Sequence, residues 1–167
     1  TANTQLLHDE LIHNCGPLGE ENIIIFGVGP LTGSILPASA YFIVTAKSPL
    51  TGILGDSAAG GSFGPEVKQT GFDQIIITGK AKGLLYLLIT DNDVEFVSAS
   101  NLAGKTIVDT TSYIRKKHKD YAIQVAAIGA AGEHEVLYSA IVSSGNRVNG
   151  RTGMGAVLGS KNLKAIA

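Results

Sequence analysis

The sequence predicts an α+β fold made of two pseudo-two-fold-related halves, with mostly antiparallel β-sheets and a few short helices. Three observations carry this. Short apolar, β-branched runs recur along the 167 residues, each ended by glycine or another turn former, which is the pattern of buried strands. Segments with helical spacing lie between them. Finally, Gly64 to Ile75 can be laid on Gly155 to Ile166 without a gap, so that Gly71-Phe72-Asp73-Gln74-Ile75 faces Asn162-Leu163-Lys164-Ala165-Ile166. Glycine and asparagine both tolerate the left-handed backbone, so the pivotal match has a physical cause.

The elements follow in order. Gln5 to Asn14 places Leu7 and Leu11 four apart beside Leu6, a short amphipathic helix. Asn22 to Phe26, closed by Gly27, and Tyr41 to Thr45 read as strands. Gly64 to Gly71 carries Pro65 at a plausible first helical position, Glu66 in the first turn and Gly71 as a left-handed cap. Gln74 to Thr78, Leu84 to Thr90 and Asp93 to Val97 read as strands, the last two joined by Asp91-Asn92. Thr106 to Lys119 sets Ile107 and Ile114 on one face and ends in Arg115-Lys116-Lys117-His118, which suits a helix C-terminus. Ile123 to Ile128, Val136 to Val142 and Asn162 to Ala167 complete the strands. Ile25-Phe26-Gly27 resembles Ala127-Ile128-Gly129, and Phe42-Ile43-Val44 resembles Ala140-Ile141-Val142. The repeat therefore covers roughly 22–80 and 122–167 within a single domain of 1–167.

Composition removes several function classes. Thirteen Lys+Arg against fourteen Asp+Glu leave a net charge of -1, which builds no basic field for nucleic acid or an anionic membrane. Cys15 is the one cysteine, so neither an internal disulfide nor a zinc or iron-sulfur site is available, and a reducing compartment fits. Gly83 to Ile89 and Val125 to Ala131 fall far short of the ~20 residues a membrane helix needs, and no basic-then-apolar leader opens the chain. The expectation is a soluble, cytoplasmic protein.

The 21 glycines, close to twice the usual ~7%, concentrate in Gly27 to Gly33, Gly52 to Gly64 and Gly145 to Gly159. Such runs let peptide groups approach an anionic or planar ligand; equally, they permit tight turns and close packing. Gly27-Val28-Gly29-Pro30-Leu31-Thr32-Gly33 after a strand invites a nucleotide-binding reading, against which stand Pro37 and the Lys47-Ser48-Pro49 found where a ribose-binding acid belongs. Gly155 to Lys161 resembles a phosphate loop only loosely, with Ser160 and Lys161 in the wrong order. Arg147 and Arg151, in a segment of Gly, Asn and Ser, suit bidentate phosphate binding or an ordinary surface pair. His8, His13, His118 and His134 show no metal-ligand spacing, and Asp56-Ser57 has no partner placed for acid-base chemistry.

Taken together, Gly29 to Gly33, Lys47 to Gly52, Gly60-Gly61-Ser62-Phe63-Gly64-Pro65-Glu66, Ile128 to Glu133 and Gly155 to Ile166 closely resemble the N-terminal domain of the aldehyde ferredoxin oxidoreductase family, over nearly the whole chain. The resemblance implies a tungsten, sometimes molybdenum, enzyme that oxidises aldehydes to carboxylic acids and passes electrons through a [4Fe-4S] cluster to ferredoxin. This domain would be the base for two pyranopterins whose phosphates are bridged by Mg2+. By that resemblance, the segment before Gly60-Gly61 and the loop at Arg147-Val148 are the two phosphate contacts. Carbonyls at Ala58 and Val148 would ligate magnesium, Gly60 and Arg147 would touch the pterins, and Arg151 matches a basic family position. Two departures stand out: Ala58 where relatives commonly carry asparagine, and Tyr41 where arginine is frequent. A backbone carbonyl survives the first change, whereas a cation does not survive the second. The cluster cysteines and acid-base residues would belong to later domains, so this chain alone would not turn over. Implied partners are those domains, ferredoxin, the aldehyde and a homodimer mate. Two rivals remain: a nucleotide-binding module using Gly27 to Gly33, and a degenerate structural paralogue without cofactor.

Overall fold

The structure is a computed structural model that describes residues 2–10, 15–91 and 93–167. Helix α1 (Ala2–Glu10) precedes β1 (Ile24–Val28), β2 (Phe42–Lys47), β3 (Leu54–Ala59), α2 (Phe63–Gln69) and β4 (Gln74–Ile77). Then come β5 (Leu85–Ile89), β6 (Val94–Ser98), a 3-10 turn (Ser100–Leu102) and α3 (Ile107–His118). The chain continues through β7 (Ala126–Ala127), α4 (Ala130–Glu133), β8 (Ile141–Ser143), β9 (Arg147–Asn149), α5 (Met154–Ser160) and β10 (Leu163–Ile166).

Two sheets result, ordered β3-β2-β1-β4 and β6-β5-β10-β7-β8-β9. Every pairing is antiparallel except β5 with β10, which is parallel. The strands β9-β8-β7-β10 repeat the order and sense of β3-β2-β1-β4, and α5 precedes β10 as α2 precedes β4. Both short helices stop on a left-handed residue at matched positions, Gly71 at φ +87° and Asn162 at φ +57°, the conformation that lets the next N–H turn back onto the helix carbonyls.

Period-two burial explains the layering. Ile24 and Phe26 of β1 point into a core shared by both sheets, with Phe63 and Val67 of α2, Met154, Val157 and Leu158 of α5, and Ile128, Ile141 and Ile166. Ile23 and Ile25 point the other way, onto Leu7 of α1. On the outer face of the larger sheet, Ile114 of α3 covers Tyr86, Val125, Ala127 and Ala165.

Several expectations need correction. Leu54 to Ala59 and Arg147 to Asn149, read as glycine-rich loops, are edge strands. Leu54-Gly55-Asp56-Ser57-Ala58-Ala59 contains no β-branched residue; six consecutive pairings with β2, Phe42↔Ala59 through Lys47↔Leu54, impose the conformation. Gly155 to Gly159 lies in a wholly buried helix rather than a ligand loop. The strand expected at Val136 to Val142 occupies only Ile141–Ser143, because Glu135 at φ +55° turns the chain first. Helix α4 was not anticipated, and Ile123 to Ile128 contracts to β7. Pro65 is the third helical residue, where its missing N–H is harmless because the first turn has no intrahelical acceptor. Residues 11–14, expected to end α1, and Asn92 of the expected Asp91-Asn92 turn lie outside the described residues. The turn after β1 runs to β2 without an intervening helix. Gly27 is packed on α1, where a Cβ would fall 2.1 Å from Asn3 Oδ1. The helix N-terminus that a nucleotide reading needs at Gly27 to Gly33 is therefore missing.

Two buried lysines pin the repeat to its surroundings. Lys164, fully buried, donates to Glu133 Oε1 and to the Lys105 carbonyl, while Glu133 Oε2 accepts from Gly104 N–H. Lys161, 3% exposed, donates to the carbonyls of Glu20 and Gly79. Burial lowers its pKa from 10.5 to about 8, with Cys15 and Glu20 opposing the shift. Unfolded, the amine keeps its proton to about 10.4. Between about pH 8 and 10.4 the unfolded state therefore binds more protons, and Lys161 adds stability as pH rises. In urea denaturation, the midpoint of the native chain should gain on that of Lys161→Met over this window. A difference that stays flat with pH would refute the assignment.

Candidate ligand-binding cleft

The two edge strands β3 and β9 meet where the halves join. Asn149 Nδ2 donates to the Ser57 carbonyl at 2.7 Å, and Arg151 N–H donates to Ser57 Oγ at 3.2 Å. Beside this seam lies a cleft of about 640 Å³ lined by Ile43, Asp56, Ser57, Ala58, Val148, Gly150 and Arg151. Ala58 and Val148 hold equivalent places in it. Each is the penultimate residue of its edge strand, paired with Ile43 and Val142 respectively. Each is followed by one buried residue, Ala59 or Asn149, and then by a glycine, Gly60 or Gly150.

Of the residues singled out from sequence, Ala58, Val148 and Arg151 line this cleft. Gly60 lies next to Tyr41: a Cβ built on Gly60 would meet only the Tyr41 ring, at 3.9 Å. Tyr41 is 57% exposed, and its carbonyl accepts from Thr32 Oγ1. Gly61, at φ +96°, packs against Arg147, where a Cβ would stand 2.8 Å from Arg147 Cγ. Among the described residues, neither the Arg147 nor the Arg151 guanidinium has an ion-pair or hydrogen-bond partner. Asp56 lines the same cleft and accepts from Thr45 Oγ1. The region thus carries both signs of charge.

The remaining concavities offer different chemistry. A cavity of about 470 Å³ is lined by Glu66, Asp91, Asp120 and His118, among others, and three carboxylates disfavour phosphate there. His118 Nε2 pairs with the buried Tyr86 hydroxyl at 2.7 Å, and burial raises the Tyr86 pKa. Among the described residues no group of three or more His, Cys, Asp and Glu could hold a metal ion.

Sequence reasoning missed Asn149, Gly150 and Ser144, and weighed Ser57 only beside Asp56 for acid-base chemistry. Asn149 is fully buried, and its Oδ1 has no hydrogen-bond partner among the described residues. Ser144 Oγ accepts from the N–H groups of Ser62 and Phe63 at 3.0 and 3.1 Å. Extending the repeat upstream with a one-residue shift would have set Ala58-Ala59-Gly60 against Val148-Asn149-Gly150. No local pattern announces the Ser144 contact, which spans more than eighty residues of chain.

Comparison with known proteins agrees with this architecture. The family described as "Aldehyde ferredoxin oxidoreductase, N-terminal domain" matches residues 1–167. The chain is 46% identical over 150 residues to a tungsten-containing aldehyde ferredoxin oxidoreductase of Pyrococcus abyssi, covering 90% of this chain and 25% of that one. It is 44% identical over 162 residues to the Pyrococcus furiosus protein of the same description, covering 97% and 27%. Among solved structures, it matches the active-site complex BamBC of benzoyl coenzyme A reductase in complex with 1,5-dienoyl-CoA. The TM-score there is 0.96 and the identity 39%, over 99% of this chain and 25% of that one. The chain spans about a quarter of the length of these relatives. With its motifs, topology and full-length family match in agreement, the chain belongs to the aldehyde ferredoxin oxidoreductase N-terminal domain family.

Proposed function

We propose that residues 1–167 form the cofactor platform of a tungsten-pterin aldehyde:ferredoxin oxidoreductase, a single domain built on the repeat at roughly 22–80 and 122–167. The observation that carries the reading is the equivalent placement of Ala58 and Val148 on facing edge strands beside one cleft. Two similar ligands bridged at their phosphates call for two similar backbone contacts. The residues present fit such a group: room beside Gly60, where a Cβ would meet only the Tyr41 ring, guanidinium groups at Arg147 and Arg151 that have no protein partner among the described residues, and at Asn149 a buried acceptor left without a partner among the described residues.

In this reading the Ala58 and Val148 carbonyls would hold a Mg2+ at the pterin phosphates, since carbonyl oxygens are ordinary ligands of hard cations. Gly60 and Gly61 let a pterin lie against the main chain. Arg147 and Arg151 bind phosphate oxygens, and a phenol at Tyr41 supplies a neutral hydrogen bond in place of the guanidinium common in relatives. The bound tungsten-pterin group would supply the two-electron chemistry of aldehyde oxidation to carboxylic acid. Molybdenum in place of tungsten would use the same protein contacts. The [4Fe-4S] cluster, the substrate pocket and the ferredoxin and dimer contacts belong to the rest of a cytoplasmic enzyme. Because the benzoyl coenzyme A reductase complex shares this fold, the platform itself does not select the substrate. The aldehyde reading follows the relatives at 46% and 44% identity.

Metal analysis and pterin fluorescence on the full-length protein, purified without oxygen, test the reading. Tungsten and pterin in stoichiometric amounts are expected. Absence of both would refute it and favour a structural paralogue without cofactor.

A further inference from the structure

We infer that Ser144 is a positioning residue that sets the spacing between the two halves of the proposed cofactor cleft. The inference rests on that reading of the cleft and goes beyond its contact residues. Ser144 lies in the tight connection between β8 and β9, directly after Ser143, which pairs with Arg147. It is held at φ +49°, a left-handed conformation that serine adopts only at a cost. Something must favour serine there over glycine.

The hydroxyl accounts for it. Ser144 Oγ reaches into the other half of the repeat and accepts two consecutive main-chain N–H groups, Ser62 at 3.0 Å and Phe63 at 3.1 Å. These stand at the start of α2, whose own N-cap residue, Ser62, makes no side-chain capping bond. The cap is thus supplied from the opposite half, and it fastens the residues that directly follow Gly60-Gly61. Gly61 completes the joint: a Cβ there would fall 3.0 Å from Ser144 Oγ and 2.8 Å from Arg147 Cγ. A bare peptide at 61 and a hydroxyl at 144 together hold the Arg147 stem against the Gly60-Gly61 segment. The register of the Arg147 segment is therefore set by hydrogen bonds to the residues that directly follow Gly60-Gly61, and ligands bridged to each other need that distance constant.

Glycine and alanine at this position separate the hydroxyl from the backbone. Ser144→Gly relieves the left-handed strain and removes the acceptor, whereas Ser144→Ala keeps the strain and removes the acceptor. Both are to be made in the full-length enzyme, with tungsten and pterin per chain measured after gel filtration. Thermal unfolding and amide hydrogen exchange are followed on the same proteins produced without tungstate.

In the glycine variant, cofactor content should fall at least roughly tenfold, since both hydrogen bonds to Ser144 Oγ are lost. Its cofactor-free unfolding midpoint should fall less than that of the alanine variant, because glycine relieves the left-handed strain, while exchange protection at Ser62 and Phe63 is lost. Alanine should match that loss of cofactor with a lower midpoint. A glycine variant that keeps native cofactor content overturns the inference, as does failure of both variants to fold without cofactor, which would make Ser144 a fold element. Native enzyme without tungsten or pterin would overturn the cofactor reading first, and this inference with it.

Discussion

Replacing Arg147 with alanine in the full-length protein should lower bound tungsten and pterin about tenfold to a hundredfold, the worth of one charge-assisted hydrogen bond of about 1.5–3 kcal/mol. The fold should hardly register the change. Arg147 is exposed on β9 and pairs with no acid among the described residues, and surface substitutions of that kind usually stay within about 0.5 kcal/mol. Its stem does lie on the Gly61 peptide, so a small packing loss is included in that figure. Cofactor content by elemental and pterin analysis, set against the unfolding midpoint of the cofactor-free protein, separates the two effects. A loss of both in equal measure would make Arg147 a structural residue, and a loss of neither would remove it from the site.

A large effect on stability should come from Gly159→Ala. Helix propensity favours alanine by about 1 kcal/mol in the interior of a helix. Packing decides otherwise: the added Cβ would fall 1.9 Å from the Gly132 carbonyl oxygen and 2.7 Å from its carbon. Both are backbone atoms of α4, so no side chain can swing aside, and α4 must separate from α5. Overpacking costs of about 1–3 kcal/mol, occasionally more, are the lower end of what is expected, because the shift also strains Glu133, whose carboxylate holds Lys164 and Gly104 N–H. Urea denaturation should show a net destabilisation of about 3 kcal/mol. A neutral or stabilising result would mean that α4 and α5 are not in the contact described.

Both predictions draw on glycines, and the contrast between them shows what a sequence can convey. Gly71 and Asn162 are legible because a left-handed helix end admits few residue types, and that local requirement survives in the aligned repeat. β1, β2 and β4 are legible because β-branched runs mark a buried pleated surface. β3 and β9 are not, since their strand conformation comes from pairing with β2 and β8 and from no preference of Asp56, Ala58 or Asn149. Gly60 and Gly159 look alike in one dimension, yet a Cβ on the first would make ordinary contact with the Tyr41 ring and one on the second would overlap a backbone carbonyl. Only the packing of α4 on α5 tells the glycine with room beside it from the packing glycine. The same limit applies at Ser144 and Asn149, whose partners lie in the opposite half of the chain.

The central claim concerns location: the phosphates of a paired pterin sit in the cleft between β3 and β9. Crystallography of the full-length, cofactor-loaded protein measures this directly. The account predicts phosphate and a bridging divalent cation beside the carbonyls of Ala58 and Val148, with Arg147 and Arg151 turned toward phosphate oxygens. Phosphates found instead at the Gly29 to Gly33 turn or in the cavity beside His118, or a cleft filled by protein from the remaining domains, would contradict it.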